Sequence, residues 1–268
     1  MEKVVFTDID GTLLDSRSPD VNKMKELVDA SIQNGIHLIF CSSKTEQEQN
    51  KIKSQVYLNE PYIVENGGAI IIPANYFKKT NITNAKISQS NYIIEIGGSA
   101  IEIRSLLNEI RVKCGINFKG VSDLTALELS NITKLPQDYA RRMMDRKYSE
   151  TIVQINNKQL AEFTTIIEKE GLKIIPGGQY FDITLGNDKG TAVNILMDIF
   201  RKEFTNGVIF IAIGDSKNDE SMLSLVDFPM LVQKFDGSWE DLQLEKLKRI
   251  NGIGPKGWEI ALDLVLKC

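Results

Sequence analysis

The chain of 268 residues contains a single histidine, His37. It sits inside the apolar run Ile36-His37-Leu38-Ile39-Phe40-Cys41 and is expected in the core, which argues against a Ser-His-Asp triad. Cysteine is scarce too. Cys41, Cys114 and Cys268 are odd in number and lack metal-ligand spacing, so they point to a reducing, cytoplasmic compartment rather than a disulfide framework. No stretch reaches the ~20 apolar residues that cross a bilayer, so no membrane partner is expected. A net charge of −4 argues against a polyanion-binding surface and hence against a nucleic-acid partner. There is no internal repeat and no low-complexity tract. A motif beginning at Asp8 leaves no room for a presequence ahead of it. The 42% hydrophobic content is ample for a core, in one large or two modest domains.

The richest stretch is Phe6-Thr7-Asp8-Ile9-Asp10-Gly11-Thr12-Leu13-Leu14-Asp15. It follows the apolar run Val4-Val5-Phe6, which reads as a buried strand. Two carboxylates therefore stand at the strand's C-terminal end, where open α/β sheets bind ligands. In extended chain, residues two apart point the same way, so Asp8 and Asp10 can converge on one group. A simple turn is the plain alternative. A calcium loop is excluded: counted from Asp8, its sixth position would be Leu13 and its twelfth Pro19, instead of Gly and Glu.

Three further motifs follow in order. The strand Ile36–Cys41 ends in Ser42-Ser43-Lys44-Thr45. Asn187-Asp188-Lys189-Gly190-Thr191 opens a helix. The strand Val208–Ile213 ends in Gly214-Asp215-Ser216-Lys217-Asn218-Asp219. Each has a modest structural explanation as well. Ser42 can cap a helix beginning near Thr45, Lys189 can be a solvated surface residue, and Ser216 with Asp219 can form a capping box. A lysine in a helix's first turn opposes the helix dipole, which favours a functional reason for Lys189.

This ordered set resembles the haloacid dehalogenase superfamily, in particular its sugar phosphatases with a large cap between the second and third motifs. Cys41-Ser42-Ser43-Lys44-Thr45 with Glu48-Gln49, Glu65-Asn66-Gly67-Gly68-Ala69-Ile70, Tyr148-Ser149-Glu150-Thr151, Asp188-Lys189-Gly190 and Gly254-Pro255-Lys256-Gly257-Trp258 resemble the mannosyl-3-phosphoglycerate phosphatase family. The resemblance implies substrate contacts from Lys44, Glu65 and Asn66. Asp8 is the candidate nucleophile, forming an aspartyl-phosphate. Asp10 is the candidate acid for the leaving oxygen and then the base for water. Ser42 and Lys189 can bond or neutralise phosphoryl oxygens. Asp8, Asp10, Asp215 and Asp219 offer hard oxygen ligands suited to Mg2+, which offsets repulsion between a carboxylate and a phosphate.

The coarse organisation is α/β. Val21, Met24, Leu27, Val28 and Ile32 recur at helical spacing, and Gly35 marks the end of that helix. Strand, helix, strand is the unit of a parallel sheet, so the expected core is a Rossmann-like doubly wound parallel sheet. Tyr62–Val64 adds a strand, and Lys78 to Asn91 reads as a linker. Strands at Tyr92–Ile96, Thr151–Ile155, Leu172–Ile175 and Tyr180–Leu185, with helices at Ile101–Val112 and Gln159–Glu170, form an inserted α/β cap. The expected division is core 1–84, cap 85–186 and core 187–268.

Because the core sees only a phosphoryl group, specificity is expected in the cap. Arg146, Ser149, Glu150 and the loop Gly177-Gly178-Gln179-Tyr180 are the candidates there. Related enzymes have Arg where Gln179 stands and often His where Asp182 stands. Gln cannot match Arg in bidentate recognition of a carboxylate, so relaxed discrimination is expected at Gln179. The function expected is Mg2+-dependent hydrolysis of a glycosyl-glycerate phosphate, with a small phosphorylated sugar as the substrate and the oligomeric state left open. Alternatives are a glucosyl-3-phosphoglycerate or sucrose-phosphate phosphatase, a phosphomannomutase, or a phosphoacceptor or sensor without turnover.

Overall fold

A computed structural model describes residues 1–15, 17–88 and 90–267. Cys268 and Gln89, the latter within the expected linker, lie outside the described residues. The chain opens with β1 (Glu2–Thr7), α1 (Val21–Gln33) and β2 (Ile36–Cys41). Next come α2 (Glu46–Val56), β3 (Tyr62–Val64), β4 (Ala69–Pro73), β5 (Lys86–Ser88) and β6 (Asn91–Glu95). A middle segment follows with α3 (Ala100–Cys114), β7 (Phe118–Gly120), α4 (Ala126–Thr133), α5 (Gln137–Met143), β8 (Ser149–Ile155), α6 (Leu160–Lys169), β9 (Lys173–Pro176) and β10 (Phe181–Thr184). The chain closes with α7 (Lys189–Glu203), β11 (Val208–Gly214), α8 (Glu220–Leu223), β12 (Phe228–Gln233), β13 (Lys248–Ile253) and α9 (Gly254–Lys267).

Among the described residues, nine strands form one sheet in the order β13-β12-β11-β1-β2-β3-β4-β6-β5. β11, β1 and β2 pair in parallel at its centre, with Phe6 opposite both Ala212 and Ile39. Alternation sends Val5, Leu38, Phe40 and Ile211 to one face, against Met24 and Val28 of α1 and Trp258 of α9. Val4, Phe6, Ile39 and Phe210 face the other way, against Val193, Leu196 and Phe200 of α7. Burial on both faces is why these strands read as continuous apolar runs. A second, antiparallel sheet runs β7-β8-β10-β9 and packs on α3 and α6 through Ile103, Leu107, Phe163 and Ile167.

Two expectations need correction. The stretch read as a linker contains β5, and the strand assigned to the cap at Tyr92–Ile96 is β6. Both pair antiparallel beside β4 on the core sheet, so the change of sheet falls after Glu95 rather than at 85. β5 is short and exposed along its length, which gives its sequence little apolar signature, whereas β6 is partly buried and reads as a strand whose sheet no local pattern sets. His37 is half-buried on β2 in register with Val4, its Nδ1 2.6 Å from the Tyr76 hydroxyl.

Candidate active site

The C-terminal ends of β1, β2 and β11 and the start of α7 converge on Asp8. Asp8 follows β1 directly and is buried. Trp258 Nε1 donates to Thr7 Oγ1 at 2.9 Å, and the Thr7 hydroxyl donates to the Asp8 carbonyl at 2.7 Å. The Gly254–Trp258 motif thus braces the strand just ahead of Asp8, from 251 positions away in sequence. Gly11 turns the chain after Asp10 with φ of +83°, and the Asp215 carboxylate packs where its Cβ would lie, 2.7 Å away. Only glycine meets both demands.

Lys189, the first residue of α7, is fully buried. Its ammonium donates to Asp8 Oδ1 at 2.7 Å and to Asp219 Oδ1 at 2.6 Å. The solvated-surface reading fails: tertiary ion pairing outweighs the unfavourable helix-dipole position. Asp188 caps α7 by accepting from Thr191 N at 2.9 Å. Asp219 is buried and its Oδ2 accepts from the Asp215 and Ser216 amides at 3.0 and 3.1 Å, so the capping role and the charge role coexist. Thr12 Oγ1 donates to Asp215 Oδ1 at 2.9 Å.

Asp8, Asp215 and Asp219 each bring a carboxylate oxygen within 4.8 Å of the others. Burial pushes the Asp8 carboxyl up to about 7, reinforced by Asp219 and Asp10 and opposed by Lys189. Burial, with Asp219 and Asp8 beside it, pushes Asp215 up to about 8. Three carboxylates face one ammonium, which leaves two negative charges without a partner. That donor set fits a divalent cation bound through oxygen. The Asp10 carboxylate, expected in the same set, stands apart: its Oδ2 pairs with Lys44 Nζ at 2.6 Å, outside the cluster.

Ser42 is buried just beyond β2, and its Oγ accepts from the Lys44 amide at 3.3 Å. The helix cap expected of it belongs to Thr45, which forms a capping box with Glu48. A cleft of about 320 Å³ opens above, lined by Asp10, Ser43, Lys44, Arg146, Thr151 and Asp182 among others. Its volume falls within the ~300–1,000 Å³ of small-molecule sites.

The expected cap contacts divide. Lys44 and Arg146 line the cleft, and Gln179 stands exposed at its rim, facing a second groove as well. Glu150 does not reach the cleft. Alternation along β8 turns it to the opposite face, where it bonds Arg104 Nε at 2.6 Å and Ser122 N at 3.2 Å. Thr151 occupies the cleft face instead. Glu65 serves as a junction: its carboxylate accepts from the Lys147 and Tyr148 amides at 2.9 and 3.0 Å and from Ser149 Oγ at 2.5 Å. Asn66 donates to Asp182 Oδ2 at 2.9 Å and accepts from Asn218 Nδ2 at 3.4 Å. Both residues are buried with left-handed φ of 49° and 53°, a strain held by these bonds and by Asn187 Nδ2 on their carbonyls. Thr12, Thr151, Asn187 and Trp258 are the residues that sequence reading left without a role. Thr12 had the clearest signal, two positions beyond Asp10.

A model of haloacid dehalogenase-like hydrolases matches residues 5–236. The glucosyl-3-phosphoglycerate/mannosyl-3-phosphoglycerate phosphatase of Methanococcoides burtonii is 39% identical, over 100% of this chain and 98% of that protein. The mannosyl-3-phosphoglycerate phosphatase of Pyrococcus furiosus is 32% identical over 87% of this chain and 91% of its own. In fold, the chain is similar to a Thermoplasma acidophilum protein, with a TM-score of 0.69 at 17% identity and 99% coverage of both chains. A haloacid dehalogenase-like hydrolase from Bacteroides thetaiotaomicron superposes with a TM-score of 0.63 at 16% identity, covering 100% of this chain and 99% of that one. Motif order, site geometry and full-length similarity agree, and the chain belongs to the haloacid dehalogenase-like hydrolases.

Proposed function

We propose that the chain is a phosphomonoesterase that hydrolyses glycosyl-3-phosphoglycerates through an aspartyl-phosphate on Asp8. The observation that carries this reading is the buried Asp8 carboxylate held by Lys189, with Asp10 two residues on and lining the cleft. Similarity to phosphatases of these substrates along the whole chain supports the choice of leaving group. In this reading Asp8 attacks phosphorus, and Asp10 delivers a proton to the departing alcohol oxygen. Asp10 then takes a proton from the water that cleaves the acyl-phosphate. Lys189 holds Asp8 in line and offsets charge on the transferring group. Mg2+, held by Asp8 and Asp215 with Asp219 nearby, would supply the positive charge that brings a phosphate dianion to a carboxylate. The cap, following Glu95, closes over the leaving group. A cytoplasmic setting suits such substrates, and no helix among the described residues is long and apolar enough to cross a membrane.

Phosphate release from mannosyl-3-phosphoglycerate, glucosyl-3-phosphoglycerate and hexose phosphates, with Mg2+ and with EDTA, tests the reading. Release from the two glycerates that stops in EDTA and returns with Mg2+ is the expected result. Conversion of one sugar phosphate into another, with no free phosphate, would establish a mutase instead. Two variants sharpen it. Asp10→Asn is expected to slow turnover by about 10²–10⁴-fold. Asp215→Asn is expected to raise the Mg2+ concentration for half-maximal activity by about tenfold or more, since even partners one shell out cost that much. An unchanged Mg2+ requirement would remove Asp215 from the ligand set.

A further inference from the structure

The cleft lined by Asp10 contains two cations, and each already faces a carboxylate. Lys44 Nζ stands 2.6 Å from Asp10, and Arg146 Nη1 stands 3.5 Å from Asp182 Oδ1. The two pairs are not equivalent. Asp10 is committed to proton transfer, and Lys44 is its neighbour. Arg146 and Asp182 have no part in phosphoryl transfer, yet both are buried and both line the cleft.

Arg146 is fixed from several sides. Its Nη1 donates to Ser149 Oγ at 2.8 Å and to the Ser43 carbonyl at 3.4 Å. Asp182 is fixed in turn by Thr151 Oγ1 at 2.5 Å and Asn66 Nδ2 at 2.9 Å. Arg146 Nε is buried without a partner. The Tyr180 hydroxyl, from another residue lining the same cleft, is also buried without a partner. Buried donors are ordinarily satisfied, so unspent ones in a rigid cleft are completed by a ligand acceptor. A guanidinium held in place is best matched by a planar carboxylate. Gln179 cannot serve this purpose as well, being exposed at the rim and uncharged.

Resting on the phosphatase reading, we propose that Arg146 is the residue that selects substrates whose leaving alcohol bears a carboxylate, and that Asp182 sets the strength of that selection. Asp182 holds the guanidinium in orientation and is also an anion that competes with the ligand for it. The pair therefore recognises a carboxylate while capping the preference for it.

The test uses two substrates that differ in one group: mannosyl-3-phosphoglycerate, and its reduced analogue with a hydroxymethyl group in place of the carboxylate. The reading is the ratio of their kcat/KM values. Wild type is expected to favour the carboxylate. Arg146→Lys keeps the charge but loses the fork, and the ratio is expected to fall about tenfold. Asp182→Asn keeps the shape and one acceptor but removes the competing charge, and the ratio is expected to rise severalfold. Arg146→Gln would strand Glu65 and Asp182, so the lysine variant is the one to use. A merely structural role would move both substrates by one factor. An unchanged ratio in both variants, or a wild type that treats the two substrates alike, overturns the assignment and leaves the phosphatase reading standing. A wild type that releases phosphate from neither overturns both.

Discussion

Asp8→Asn is expected to silence phosphate release and, at the same time, to stabilise the metal-free protein above neutral pH. The first effect follows from removing the nucleophile. The second follows from where the carboxylate sits. Burial pushes Asp8 up to about 7, with Asp219 and Asp10 adding to the shift and Lys189 opposing it. A carboxyl whose folded value lies above its unfolded value favours folding when protonated. That contribution is fully present below about pH 4 and is lost as pH rises through about 7. Asp215, pushed up to about 8, acts in the same direction. Metal-free wild type should therefore melt at a lower temperature at pH 8 than at pH 5. Asparagine removes one of the crowded charges, while Asp219 remains to pair with Lys189. The variant should melt several degrees higher than wild type at pH 8, since about 1 kcal/mol moves a chain of this size by roughly 2–4 °C. Mg2+ should raise the wild-type melting temperature at pH 8 more than that of the variant. Thermal melts at the two pH values, with EDTA or Mg2+, measure all of this. Near-normal turnover in the variant would refute covalent catalysis. A variant that melts below wild type at pH 8 would show that Asp8 is not a strained charge.

The catalytic half of this site was legible in sequence because its geometry is local to strand ends. β1, β2 and β11 are buried on both faces, so each reads as an unbroken apolar run, and whatever follows the run must lie at the ligand-binding edge. Asp8, Ser42 and Asp215 are positioned by that rule alone. The cap was less legible for two different reasons. Glu150 was assigned to the substrate from its motif, although alternation along β8 pairs Ser149 with Thr151 and sends Glu150 to Arg104. That signal was in the sequence. The other reason lies beyond any local pattern. Asn66 meets Asp182 across 116 positions, and Glu65 meets the Lys147 amide, next to Arg146, across 82. Each alone reads as an ordinary surface polar residue. The helices α4 and α5 were missed for a related reason: at 8 and 7 residues they are too short to show a clear apolar period.

Lys189→Met is expected to be the most damaging single change, in stability as well as in activity. The ammonium is fully buried and makes both of its ion pairs, at 2.7 and 2.6 Å, with carboxylates that are themselves buried. Burial favours a neutral lysine, but Asp219 and Asp8 together outweigh it and hold the group charged well above the usual lysine range. Below its unfolded value near 10.5 the lysine is charged in both the folded and the unfolded chain, so its own titration does not alter stability at physiological pH. Methionine fills the volume but leaves Asp8 and Asp219 without a counter-charge. Removing one partner of a buried pair typically costs about 3–5 kcal/mol. The cost should fall as pH drops, because the stranded carboxylates can then take protons and become neutral. Urea unfolding of the metal-free variant at pH 5 and pH 8 should therefore show a deficit against wild type that is larger at pH 8, and Mg2+ should recover part of it. Turnover should fall by about 10²–10³-fold or more, the loss seen when one preorganised donor to a reacting group is removed. A deficit independent of pH would mean that packing, not charge, is what Lys189 contributes. A variant as stable as wild type at pH 8 would mean that the two carboxylates do not need it, and the balance of charge that calls for a divalent cation would have to be drawn again.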